Sequence, residues 1–332
     1  MRRLGIWSIV LTLTVAACSN PEPSGGEGTE APSAVASVFT LAWIASQVAP
    51  DANLTVLGQQ GQEPHDLELS PGDREALQTA DVVLYMGDID FQPQVEATVG
   101  STAGELVDVT SIVGDAALQA GAALAHEGEE GGEATVDGEA TVDPHIWFDP
   151  GLMAAVAQRV GDAFAASDPG NAQAYRDNAA QVAQQLEALD GEIARMLSNC
   201  ELDEAIVSHE AYAYLLQPHG LTQHGISGVN PEAGGSPADL AELTEEIRAE
   251  GIPAVLAEPF EGRSDAEALA QEAGVRLLEI DPLEVATPQH LATGYPDLLR
   301  QQAQTFATAL RCQGSGEAPG SAVAPPGNAA AA

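Results

Sequence analysis

The sequence predicts an α/β protein of two similar lobes, each a parallel sheet flanked by helices, with one long rigid helix joining them. Three observations carry this expectation. Short β-rich runs alternate with helical patterns in the first half, the same grammar returns in the second, and an unbroken amphipathic stripe lies between them. Residues 34–150 form the first α/β lobe, 151–199 a helical segment that includes the linker, and 200–312 the second lobe.

In the first lobe, strands are expected at Val35–Phe39, Asn53–Leu57, Val82–Met86 and Leu106–Val109. Helical stretches at Leu41–Val48 and Asp73–Thr79 separate the first three, as a parallel sheet requires. The linker reads as Asp168–Asn199, with Asp168 as N-cap and Pro169 in the first turn. Its apolar residues Tyr175, Ala179, Val182, Leu186, Leu189, Ile193 and Met196 recur at alternating steps of four and three. Such a helix would be roughly 45–48 Å long, enough to cross the backs of both lobes. In the second lobe, strands are expected at Ala205–Val207, Ala254–Ala257 and Leu277–Ile280, and helices near Pro237–Glu250 and Ser264–Ala273. Ser236 before Pro237 reads as an N-cap.

The first residues address the chain to the exterior. Arg2 and Arg3 precede an apolar run, Leu4–Ala17, too short for a comfortable membrane span. Residues 1–17 therefore read as a signal peptide, and Val15-Ala16-Ala17-Cys18 has the bacterial lipobox pattern. Lipidation at Cys18 would anchor the chain to the outer face of the cell membrane, with residues 18–33 as a flexible stalk; an ordinary secretory signal is the alternative. Residues 313–332, rich in Ala, Pro, Gly and Ser, are expected to be a disordered tail.

Fifty acids face eleven arginines and no lysine, and loss of Arg2 and Arg3 with the signal takes the formal charge from −39 to −41. That balance excludes nucleic acid and anionic lipid surfaces as partners. Residues 126–143 read HEGEEGGEATVDGEATVD, an acidic loop with GEATVD in tandem. It lacks the order of an EF-hand, so no calcium site is expected there. Slippage duplication and a low-affinity cation funnel are both open readings. Cys200 and Cys312 remain once Cys18 is assigned; an even pair in an exported protein suggests a disulfide, with free thiols or thiolate ligands as alternatives.

Among seven histidines, His65 lies in the loop after the Asn53–Leu57 strand, His145 follows the acidic loop, and His209 lies just past the C-terminal end of a strand. Asp281 occupies the matching place after Leu277–Ile280. Loops at the carboxyl ends of strands line the crevice of open α/β sheets. His65 and His145 would thus face His209 and Asp281 across a cleft. Three imidazoles and one carboxylate suit a borderline ion such as Zn²⁺.

The segments EPHDLELSP, DPHIWFDP, DPGNAQAYRDNA, SHEAYAYLL and LLEIDPL resemble the recurrent motifs of the metal-binding substrate-binding proteins of bacterial ABC importers, over about residues 34–312. The resemblance implies two α/β lobes joined by one long helix, with the metal held in the cleft by His65, His145, His209 and Asp281. It implies delivery of zinc to a membrane permease and its ATPase, by a monomer. Manganese-type relatives usually have Glu at the position of His209, so the resemblance favours Zn²⁺ over Mn²⁺ or iron. Zinc-type relatives often carry a histidine-rich loop, whereas here that loop is acidic with only His126. His219, His224 and His290 match no ligand position and read as structural or surface residues, His224 being the one to place relative to the cleft. A metal-buffering adhesion lipoprotein is a rival reading. A zinc hydrolase is disfavoured, because there is no H-E-x-x-H and four protein ligands would close the site.

Overall fold

The computed structural model describes residues 31–58, 62, 64–65, 67–89, 91–114, 117–118, 142–229, 235–259 and 262–314. The expected signal peptide, Cys18, nearly all of the stalk and of the acidic loop, and all but the first two residues of the tail lie outside them. No helix among the described residues is long and apolar enough to cross a membrane.

The first sheet is built from β1 (Ser33–Ala36), β2 (Asn53–Val56), β3 (Val82–Tyr85) and β4 (Glu105–Asp108), ordered β2-β1-β3-β4 with every pairing parallel. Helices α1 (Phe39–Val48), α2 (Pro71–Thr79), α3 (Pro93–Val99) and α4 (Val109–Val113) belong to this lobe. Two helices follow, α5 (Pro150–Ser167) and α6 (Ala172–Met196). The second sheet repeats the topology: β5 (Glu204–His209), β6 (Thr222–Ser227), β7 (Ala254–Ala257) and β8 (Arg276–Glu279) stand in the order β6-β5-β7-β8, again all parallel. Its helices are α7 (Ala213–Leu216), α8 (Pro237–Glu250), α9 (Arg263–Ala273), α10 (Pro288–Thr293) and α11 (Tyr295–Ala309).

The inner strands β1, β3, β5 and β7 are buried on both faces, which is why they read as largely apolar runs. The period-two pleat then divides each strand between two cores. Val82 and Leu84 enter a central core shared with α1, α5, α6 and α11, while Val83 and Tyr85 enter an outer core under α2 and α3. In the second lobe Ala205, Val207 and Leu256 face the central core; Ile206, Val255 and Ala257 face α8 and α9.

The linker differs from expectation at its start. Helix α6 begins at Ala172, and its 25 residues span about 37 Å. Asp168 does not cap it. Its backbone N–H closes the end of α5 on Phe164, and its carboxylate accepts from the Asn171 amide and the Tyr175 hydroxyl. Residues 168–171 are therefore the turn of an αα-hairpin, and α5 is a helix of its own. The apolar stripe is nevertheless buried at all seven predicted positions. Strand β6 was absent from the expected set because its sequence, TQHGIS, is mostly polar; it is an edge strand, where one side needs no partner.

Cys200 and Cys312 form a disulfide across 112 residues, tying the end of the helical segment to the end of α11. In the chain-entropy picture such a loop contributes about 4–5 kcal/mol. Ser236 caps α8 in a reciprocal capping box with Asp239, matching the sequence reading.

The α5–α6 hairpin depends on Gly161, where an added Cβ would lie 2.5 Å from the Ala179 Cβ and 3.2 Å from the Tyr175 carbonyl oxygen. Alanine is the better helix former by about 1 kcal/mol, yet Gly161→Ala is expected to lower stability by about 1–3 kcal/mol through overpacking. Chemical denaturation measures this; an unchanged or higher midpoint would contradict the close contact.

Candidate metal centre

Four side chains from four separate segments converge where the carboxyl ends of the two sheets face one another. His65 lies in the loop after β2, His145 starts a short 3-10 turn (Ile146–Phe148), His209 ends β5, and Glu284 lies in the loop after β8. One donor atom from each lies within 4.8 Å of every other. His145 Nε2 is 3.0 Å from Glu284 Oε1, His209 Nε2 is 3.2 Å from His145 Nε2, and His65 Nε2 is 3.4 Å from Glu284 Oε1. A tetrahedron of ligands at about 2.0–2.1 Å from a central ion has edges of about 3.3–3.4 Å. Three of the donor–donor distances thus already lie near the edge of such a shell.

Each imidazole is aimed by a neighbour. The Asp143 carboxylate accepts from the His145 backbone N–H at 2.9 Å and faces Nδ1 at 2.7 Å, leaving Nε2 directed inward. Glu258 Oε1 does the same for His209 Nδ1 at 2.7 Å and accepts from the Tyr212 hydroxyl at 2.9 Å. The Glu258 backbone N–H donates to the Ser208 hydroxyl, and Tyr214 donates to the Asp143 carbonyl. For His65, the preceding Pro64 carbonyl is held by the Gln92 amide at 3.1 Å, and the ring meets Phe91 edge-on at 4.8 Å.

Burial makes these charges interdependent. It alone would lower the His145 pKa, but the charge and hydrogen bond of Asp143, joined by those of Glu284, hold it at about 9. Burial would likewise raise the Glu284 carboxyl, yet hydrogen bonds and charge from His145 and His65 keep it well below the usual carboxylate range. Imidazoles coordinate a metal only in the neutral form, so ion binding here is linked to the loss of any proton they carry.

Glu284 belongs to the second lobe in sequence and is clamped to the first. Its carbonyl accepts from the Phe39 N–H at 2.7 Å, capping a helix whose Val38 N-cap has no side-chain cap to offer. The Trp147 indole donates to the Pro282 carbonyl at 2.7 Å, and the Tyr295 hydroxyl donates back to the Trp147 carbonyl.

Of the four residues expected from sequence, His65, His145 and His209 are brought together and Asp281 is not. Asp281 Oδ1 accepts from the Leu283 N–H at 2.8 Å, and Oδ2 faces His290 Nε2 at 2.9 Å. Two residues past the end of β8, Asp281 folds its own loop, in which Leu283 adopts φ 60°, a turn that bulky residues rarely make. That turn places the next residue, Glu284, in the centre. Glu258 was also missed, although it directly follows β7 and the strand-end rule that selected His209 points to it equally. His290 braces Asp281 and the Val285 carbonyl, His219 lies on a partly exposed turn, and His224 lies on β6 among residues of a different cluster. His126 lies outside the described residues.

Comparison with known proteins adds a family to this geometry. Residues 34–309 match the model of the ZnuA family, described as zinc-uptake complex component A, periplasmic. The zinc-binding lipoprotein AdcA of Streptococcus pneumoniae is 30% identical over 287 residues, 85% of this chain and 55% of that protein. The high-affinity zinc uptake system protein ZnuA of Bacillus subtilis is 27% identical over 305 residues, 90% of this chain and 94% of that protein. The crystal structure of the Zn(II)-bound ZnuA-like domain of S. pneumoniae AdcA superposes with a TM-score of 0.66 at 26% identity, covering 84% of this chain and 99% of the domain. The chain spans about half the length of the AdcA relatives it matches.

Proposed function

The chain belongs to the ZnuA family of periplasmic zinc-uptake components, and we propose that it captures Zn²⁺ as cargo between its lobes and delivers it to an ABC-type permease and its ATPase. The convergence of three Nε2 atoms and one carboxylate oxygen within 4.8 Å carries this reading. That set suits an ion of borderline softness, whereas manganese favours more oxygen. Four protein ligands leave no open position for a catalytic water, so the centre binds and does not hydrolyse.

We assign the ligands as His65, His145, His209 and Glu284, with Glu284 in place of Asp281. Asp143 and Glu258 stand behind two of the imidazoles, where they fix the tautomer and raise the basicity of the inward nitrogen. The zinc-related names of the relatives support the choice of cargo. An anchor at Cys18, a location outside the cytoplasm and action as a monomer complete the proposal. One relative's name, a lipoprotein, agrees with the anchor. Release follows if docking on the permease separates the lobes, since the ligands divide between them.

Competition titration against a zinc chelator tests the assignment. His209→Ala and Glu284→Gln should each weaken Zn²⁺ binding by more than the ~10–100-fold typical of losing an outer partner. Glu258→Gln should fall within that range. Asp281→Asn should cost less than Glu284→Gln, and the reverse order would overturn the choice of fourth ligand. Lowering the pH from 7.5 to 5.5 should weaken binding at least ~10-fold, because imidazoles must be neutral to coordinate and an ordinary one is mostly protonated at the lower pH. Equal affinities at both pH values would count against histidine ligation.

A further inference from the structure

A second convergence of metal-ligating groups lies in the second lobe, away from the cleft. Glu204 is the first residue of β5, His224 lies on the edge strand β6 opposite Ile206, and Glu246 comes from α8. His224 Nδ1 is 2.9 Å from Glu246 Oε2 and 3.6 Å from Glu204 Oε1, and one donor atom from each residue lies within 4.8 Å of the others. The three come from three different elements. Their meeting is therefore a product of tertiary packing and not the side-by-side charge pairing of a solvated helix face.

The surroundings favour a cation. The three residues line a cavity of ≈ 420 Å³ that also presents Asp203, Glu210 and Glu250. All three side chains are about one-quarter to one-third exposed, so solvent can complete a coordination shell. Hydrogen bonds to the two carboxylates, which outweigh burial, hold the His224 pKa at about 10.

We propose that Glu204, His224 and Glu246 form a second, independent site for a divalent transition-metal ion, with water filling the remaining positions. One nitrogen and two carboxylates make it a harder and less selective site than the cleft, able to take Zn²⁺ or Mn²⁺. With fewer protein ligands and open access, it binds more weakly and exchanges faster. The acids around the cavity raise the local cation concentration.

Titration of the full chain with Zn²⁺ alone, in the presence of a weak chelator, tests this. The unaltered chain should take up two equivalents, the second weaker. His224→Gln and Glu246→Gln should each leave the tight equivalent in place and weaken the second at least ~10-fold, the smallest loss expected when even outer partners are worth 10–100-fold. The paired change His65→Ala and His209→Ala should keep the weaker equivalent. Uptake of a single equivalent by the unaltered chain would overturn the proposal. So would a second equivalent unchanged in both cavity variants, or one lost when only the cleft is altered. Circular dichroism checks each variant for folding, and should His224→Gln unfold, Glu246→Gln decides.

Discussion

Three carboxylates and three imidazoles meet between the lobes, largely shielded from solvent. Asp143, Glu258 and Glu284 are all essentially buried, and so are His145 and His209. Buried charges of one sign are costly unless each is paired and hydrogen-bonded. Asp143 and Glu258 find their histidine partners within their own lobes, whereas Glu284 of the second lobe meets that condition through His145 and His65 of the first. The arrangement of the lobes is thus tied to the charge balance of the centre. A dication bound as proposed would offset part of the charge of these three carboxylates.

The backbone around Glu284 shows how that centre is held. Its carbonyl caps α1, its neighbour Pro282 is bonded by Trp147, and Asp281 folds the loop with help from His290, whose ring also packs on Phe39 at 5.1 Å. The segment following β8 therefore acts as a strap from the second lobe onto the first. The α5–α6 hairpin supports the same union from behind, with the stripe of α6 buried in a core that takes side chains from both sheets.

Much of this was legible in the sequence because parallel sheets leave strong marks. Strands buried on both faces appear as apolar runs, and side chains at their carboxyl ends fall where ligands bind, which is how His65, His145 and His209 could be selected. Position within a loop is less legible. Asp281 and Glu284 differ by three residues, and only the left-handed turn at Leu283 decides which one enters the centre. Glu258 was hidden by abundance: among fifty acids, a single glutamate after a strand does not stand out. Asp168-Pro169 carries a helix-start signal, and the side chain was spent instead on Asn171 and Tyr175 in the hairpin turn. The polar strand β6 could not be read from periodicity, and it carries His224.

The central claim is that one ion is held by three histidines and one glutamate from both lobes. X-ray absorption at the zinc edge, on the chain loaded with a single equivalent, reports that shell most directly. The account predicts a four- to five-coordinate shell of nitrogen and oxygen at about 2.0–2.2 Å, with the outer-shell scattering of three imidazoles. A six-coordinate, oxygen-dominated shell, or the scattering of fewer than two imidazoles, would contradict it.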